Sequence, residues 1–340
     1  MSQTIKSQIV ELDRPRNISI REDILDLSQI KGNEVAARTL YSAISPGTEI
    51  AAYIGDPPLR PMKVYPRVVG YCNVAEVIAT GANVTQYKQG DKILTFQSHR
   101  TFFICSQESI VALIPQGADL VEASTTYLFH LGYNALLKGD FRPGMSVAVI
   151  GLGTLGLTTL ALASSFGGEV YAFTNQADKF DIAREFGADK VFRKNDSDLK
   201  NKIRELTDGG IDLVVSTSGS WEDWRLAISI ARKEGTICVI GFPGRTQPIP
   251  DFNPLDSQYF YDSQLRIVSC GYTSSLDAPA CDIRFNIKRN CRFLLNRVIQ
   301  KKLPAAKLIS SVVSWKEIQS VYEAMSAREP DLITSVLEWT

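Results

Sequence analysis

The densest chemical signal in the chain is Gly151-Leu-Gly153-Thr154-Leu155-Gly156, which follows the apolar run Ser146-Val-Ala-Val-Ile150 and precedes a helix-like stretch to about Phe166. In a strand, turn and helix setting the first glycine makes the tight turn, the second lets backbone approach a pyrophosphate, and the third allows close helix-to-strand packing. Phosphates would meet the amides of the helix N-terminus, where Thr154 and Leu155 lie. The spacing predicts dinucleotide binding.

In such a unit the end of the second strand reads the ribose, usually through a carboxylate about 20 residues beyond the glycines. Here Glu169-Val-Tyr-Ala-Phe173 runs into Thr174-Asn175-Gln176, and Lys179 follows. Thr174 removes the negative charge that would repel a 2′-phosphate, and Lys179 can reach toward one, so NADPH is the expected cofactor with NADH also possible. Strand-end position adds Ser216, after Ile211-Asp-Leu-Val-Val215, and Gly241, after Thr236 to Ile240.

Proton-handling side chains are few. In Tyr127-Leu-Phe-His130 a hydroxyl and an imidazole share one face if the segment is helical, and the imidazole can relay or supply a proton lost by a tyrosine. The other reading of His130 is a buried ring bonded to a backbone carbonyl. His99, in Ser98-His99-Arg100, is expected to be exposed. With two histidines and six scattered cysteines (Cys72, Cys105, Cys238, Cys270, Cys281, Cys291), a metal site would need Cys72 joined to Cys105 or His130 by tertiary folding. No metal is expected. A Ser-His-Asp hydrolase is disfavoured, because no Gly-x-Ser-x-Gly elbow occurs.

The elements that must position these groups fall into two kinds. From Ser146 to Ser269, strand candidates at Glu169–Phe173, Val191–Phe192, Ile211–Val215, Thr236–Ile240 and Arg266–Ser269 alternate with helices, one from Asp178, as cap, to Phe186, closed by Gly187. That alternation predicts a doubly wound parallel sheet. The first 120 residues instead show short strands at Ser7–Leu12, Val35–Tyr41, Val74–Ile78, Lys92–Phe96 and Ser109–Leu113, with Pro46-Gly47 among the breakers. Helices are expected at Asp282–Ile299 and Trp315–Met325, and a closing strand at Ile333–Leu337 that pairs back to the N-terminal sheet.

Composition agrees with an ordinary globular protein of about two domains: 340 residues, 44% apolar, and 37 basic against 37 acidic side chains. Zero formal charge draws the chain to neither nucleic acid nor an anionic membrane. The uncharged run from Met145 to Ala163 is interrupted by glycines and reads as strand, turn and helix rather than as a membrane span. Scattered cysteines predict buried free thiols in a reducing compartment, hence a cytoplasmic protein.

Taken together, Gly47-Thr48-Glu49, Pro66 to Gly70 before Val74-Ala-Glu-Val77, Gly90-Asp91-Lys92, the glycine fingerprint and Lys179 to Ala188 resemble the medium-chain dehydrogenase/reductase superfamily over essentially the full length. The resemblance implies an α/β protein with a GroES-like, mostly β catalytic domain (1–125 and 268–340) and a Rossmann doubly wound parallel sheet cofactor domain (126–267). It also implies a homodimer or homotetramer and a small-molecule substrate. Many relatives hold a catalytic zinc; the matching places here are Pro46, Tyr71 and approximately Tyr127, and the structural-zinc lobe offers only Cys105. Both zinc sites are therefore expected to be absent, as in zinc-lacking branches. The resemblance puts Tyr71 and Tyr127 beside the nicotinamide, where each donates a proton or merely fills space. Thr48 matches a hydroxyl that touches substrate, or only organises its turn. Glu49 orients an arginine or caps a helix. Cys270 and Tyr272 match a loop near nicotinamide, with Cys270 also readable as a wall residue, and Tyr53 and Phe96 complete an apolar substrate pocket.

The expected function is a zinc-independent, NADP(H)-preferring oxidoreductase moving hydride between nicotinamide and a carbonyl/alcohol or imine carbon of a biosynthetic intermediate. An enoyl or quinone reductase acting on an activated C=C is the alternative enzyme. The non-enzymatic alternative is an NADPH-binding structural or regulatory protein.

Overall fold

A computed structural model describes residues 4–56, 65–244, 247–271 and 285–339. The chain divides into two compact units, Met1–Leu128 with Ser275–Thr340, and Phe129–Ser274.

The first unit is built mainly from antiparallel β structure, with one parallel pair, Ile309–Ser314 beside Thr334–Glu338. Its larger sheet runs in the order Ile309–Ser314, Thr334–Glu338, Glu34–Ala43, Cys72–Thr80, Lys92–Thr95 and Ala112–Ile114, with Phe102–Ser106 also pairing to Glu34–Ala43. Glu34–Ala43 is covered almost throughout, as the centre of the sheet requires, and Val35, Ala36, Ala37, Leu40 and Ala43 are buried along it. A second, three-stranded sheet pairs Thr4–Arg14 with Asn17–Asp26 and Arg67–Val68. The closing strand pairs antiparallel to the N-terminal part of the chain, with Val336 opposite Ala43. Three expectations shift. Pro46-Gly47 does not break the chain but opens a helix, Pro46–Ile54, because proline is compatible with the first helical position. The strand expected from Ser109 begins only at Ala112, after a 3-10 turn at Gln107–Ser109. The helix expected from Asp282 runs over Ile287–Ile299 in the described residues, where the Asn286 side chain caps Arg289 N.

The second unit is the parallel sheet expected for a doubly wound fold. Its order is Lys190–Phe192, Glu169–Phe173, Ser146–Ile150, Ile211–Ser216, Ala231–Val239 and Arg266–Ser269, and every neighbouring pair is parallel. Ser146–Ile150 is buried at every position, the mark of a strand covered on both faces. Strand order reverses on either side of it, which puts a ligand crevice at its carboxyl end. Asp178 does not cap the following helix through its side chain, because its own backbone is already helical. Gly187, at φ +94°, ends that helix as expected. Among the described residues no helix is long and apolar enough to cross a membrane.

Candidate functional site

The glycine turn in the parallel-sheet unit has the geometry a pyrophosphate needs. Gly151 adopts φ +92°, a region that favours glycine, and a Cβ there would stand 2.7 Å from Thr217 Oγ1. Gly153 caps the twelve-residue helix Thr154–Ser165, and a Cβ on it would meet nothing within 4 Å, so its face is open to a ligand. A Cβ on Gly156 would be driven into the Gly151 carbonyl, which fixes the third glycine by packing. Thr217 Oγ1 donates to the carbonyls of Ile150 (3.0 Å) and Gly151 (3.1 Å), holding the turn.

The neighbouring strand ends converge as their positions predict. The Ile240 and Gly241 amides both donate to Ser216 O, at 2.9 and 3.1 Å. Ser216 Oγ is buried and has no hydrogen-bond partner among the described residues, a vacancy that a polar ligand at the crevice can fill. A nicotinamide dinucleotide therefore fits the residues present. At the end of Glu169–Phe173, Thr174 Oγ1 accepts from Gln176 N and Asn175 Oδ1 accepts from Asn195 N. Lys179 lies beside Asp178, at 4.0 Å, and the exposed Arg193 guanidinium stands 5.6 Å from the Phe180 ring centroid. Arg193 was not singled out from sequence, although it directly follows Val191-Phe192, the next strand over. Cys270 is buried, and its thiol donates to Val268 O at 3.5 Å. Tyr272 lies outside the described residues.

The β unit holds a second constellation. Tyr71 Oη donates to Ser45 Oγ at 2.5 Å. The Tyr71 ring meets Tyr127 edge-on with centroids 5.3 Å apart, and Tyr127 meets Phe96 edge-on at 5.0 Å. Thr48 lies in the first turn of Pro46–Ile54, close enough to Tyr71 to favour its ionised form slightly. Burial, helped by the nearby Cys72 and Glu49, raises the Tyr71 hydroxyl far above the usual tyrosine range, so it stays protonated and donates. Tyr53 does not join this group; it is a core residue packed edge-on against Tyr322, 5.5 Å between centroids.

His99 departs most from expectation. It is fully buried rather than exposed, because its ring is bonded on both sides: Nε2 lies 2.9 Å from Glu49 Oε2 and Nδ1 lies 2.8 Å from Ser42 Oγ. Trp339 Nε1 donates to the same Ser42 Oγ at 2.8 Å, and Tyr322 donates to Glu49 Oε2. The Ser42, His99 and Glu49 spacing matches a hydrolase triad, but all three are buried to 2% exposure or less, so no substrate reaches the serine. His130, which opens the helix His130–Lys138, is also fully buried, and desolvation lowers its imidazole to about 4, leaving it neutral at physiological pH.

A catalytic zinc does not fit the places the family resemblance assigns to it. Pro46 offers no side-chain donor, the Tyr71 hydroxyl is engaged with Ser45, and Tyr127 is packed between two rings. Among the described residues no three His, Cys, Asp or Glu side chains gather to hold a metal.

Residues 154–285 match the family described as zinc-binding dehydrogenase. The sorbitol dehydrogenase of Halalkalibacterium halodurans is 27% identical over 332 residues, covering 87% of this chain and 90% of its own. That of Bacillus subtilis is 21% identical over 280 residues, covering 73% and 78%. In fold, the chain is similar to 2R,3R-butanediol dehydrogenase from Bacillus subtilis, with TM-score 0.81, 16% identity, and 98% and 99% of the two chains covered. These likenesses agree with the resemblance to the medium-chain dehydrogenase/reductase superfamily, and the chain is an NAD(P)H-dependent dehydrogenase/reductase.

Proposed function

We propose that the protein is a zinc-independent, NADP(H)-preferring oxidoreductase that interconverts a carbonyl or imine with the corresponding alcohol or amine of a biosynthetic intermediate, with Tyr71 as the proton donor. The observation that carries this is Tyr71: a phenol kept protonated by burial and bonded to Ser45, at a place that the family resemblance matches to a zinc ligand.

Bound nicotinamide supplies or accepts the hydride. The remaining chemistry belongs to side chains. Negative charge that develops on a carbonyl oxygen must be met by a donor already in place. Tyr71 meets it first as a hydrogen bond and then gives up its proton. Even a phenol whose acidity is weakened by burial is a stronger acid than an alcohol, so transfer to an alkoxide runs downhill. Thr48, three residues after Ser45 in the same first turn, orients the substrate oxygen. Tyr127 and Phe96 exclude water and form an apolar wall. His130 stays neutral rather than carrying charge.

NADPH preference rests on the missing carboxylate at Thr174–Gln176 and on Lys179 and Arg193 as partners for a 2′-phosphate. A homodimer or homotetramer in the cytoplasm is the expected state. The test is a panel of ketones, imines and enones with NADPH and NADH, run on the native protein and on Tyr71→Phe. Turnover of ketones or imines that falls by about 10²-fold or more in Tyr71→Phe supports the reading. Turnover confined to enones, or unchanged in Tyr71→Phe, overturns it.

A further inference from the structure

We infer that the buried Glu49–His99 pair is a positioning device that sets the Tyr71 hydroxyl against Ser45; the inference rests on the proposed role of Tyr71. Two segments far apart in sequence have to be held in register for Tyr71 Oη to reach Ser45 Oγ, and His99 touches both.

On one side, Ser45 is fixed by Glu49. The Ser45 amide donates to Glu49 Oε1 at 2.7 Å, and the Glu49 amide donates back to Ser45 O at 3.0 Å. This reciprocal pair holds Ser45 at the start of Pro46–Ile54 while leaving its hydroxyl for Tyr71, since the Ser45 side chain makes no cap bond of its own. On the other side, the His99 amide donates to Val69 O at 2.8 Å. The His99 ring also lies flush against Gly70, so that a Cβ at Gly70 would stand 2.6 Å from it. Gly70 takes φ +88° and leads directly into Tyr71. The link between the sides is the bond from His99 Nε2 to Glu49 Oε2, at 2.9 Å.

The donor pattern is complete with the ring proton on Nε2. Glu49 Oε2 accepts from His99 and Tyr322, while His99 Nδ1 accepts from Ser42, whose oxygen accepts from Trp339. A glutamine at 49 keeps the size but faces two donors with an amide, so it breaks this pattern without emptying the space. Buried networks of this kind specify one arrangement of the segments they join.

The experiment places 3-fluorotyrosine at position 71 and follows its 19F resonance in the full-length protein without cofactor, beside steady-state kinetics with NADPH. Glu49→Gln is expected to shift the resonance and lower kcat at least tenfold with KM changed less than threefold. Both effects should shrink at least threefold in a Ser45→Ala background, because the device acts through Ser45. A general loss of packing would instead add in full to Ser45→Ala. If Glu49→Gln does not fold, His99→Gln is read in the same way. An unmoved resonance, or effects of equal size in the Ser45→Ala background, overturns the inference. A resonance that moves as expected while Tyr71→Phe keeps full activity upholds the positioning and overturns only the catalytic role of Tyr71.

Discussion

Gly156 sits directly beneath Gly151, so close that a Cβ at 156 would be driven into the Gly151 carbonyl oxygen. Backbone cannot yield as a flexible side chain can. Gly156→Ala is therefore expected to cost about 3 kcal/mol, the upper part of the range for overpacking, and to distort the turn that receives phosphate. Thermal unfolding with and without NADPH checks both effects: the midpoint falls, and the stabilisation added by NADPH disappears.

The proposed NADPH preference assigns a 2′-phosphate to the strand end at Thr174, with Lys179 and Arg193 as its cationic partners. Lys179→Ala and Arg193→Ala are each expected to raise KM for NADPH about tenfold, or roughly 1.4 kcal/mol, and to leave KM for NADH within about twofold. Kinetics with each cofactor at saturating substrate reads the result. Equal losses with both cofactors would show that the two side chains support the fold rather than the 2′-phosphate.

His130 should make the protein acid-sensitive. Its folded value, lowered by burial from 6.5 to about 4, means that the unfolded chain binds the extra proton first as pH falls. Its contribution is thus intact above pH 6.5 and is lost progressively toward pH 4, by roughly 3 kcal/mol at most. Urea unfolding at a series of pH values should show this slope in the native protein and a flatter one in His130→Gln.

Purified active protein is expected to contain no stoichiometric zinc and to keep its activity after treatment with a chelator. Metal analysis by mass spectrometry, paired with an assay before and after dialysis against EDTA, decides the matter. Zinc at one equivalent whose removal and return switch activity off and on would overturn the assignment of proton donation to Tyr71.

Much of the fold was legible because its signals are local. The parallel strands are short apolar runs bounded by turns, and the glycine fingerprint carries its own strand and helix. The helix Pro46–Ile54 was hidden by Pro46-Gly47, a pair that reads as a turn unless the proline is known to occupy the first helical position. Asn17–Asp26 and Ile309–Ser314 were missed, since the first is mostly exposed and the second alternates only weakly. Tyr71 and Tyr127 could be named from a family resemblance, but the Ser45 contact that aims Tyr71 could not. The burial of His99 was the least readable feature: its partners Ser42 and Glu49 lie 57 and 50 positions away, and Tyr322 lies 273 from Glu49. Polar neighbours in sequence say nothing about partners brought in by the sheet.

The pairing of Thr334–Glu338 with Glu34–Ala43 has a consequence for biogenesis. A ribosome making this chain releases residues 129–274 as one continuous stretch, so that unit can close as soon as it emerges. The sheet carrying Tyr71 cannot, because one of its inner strands, and the indole that completes the Ser42 contact, are translated some three hundred residues after their partners. During that interval the edge of Glu34–Ala43 stands open, and a nascent-chain chaperone has its clearest reason to bind there.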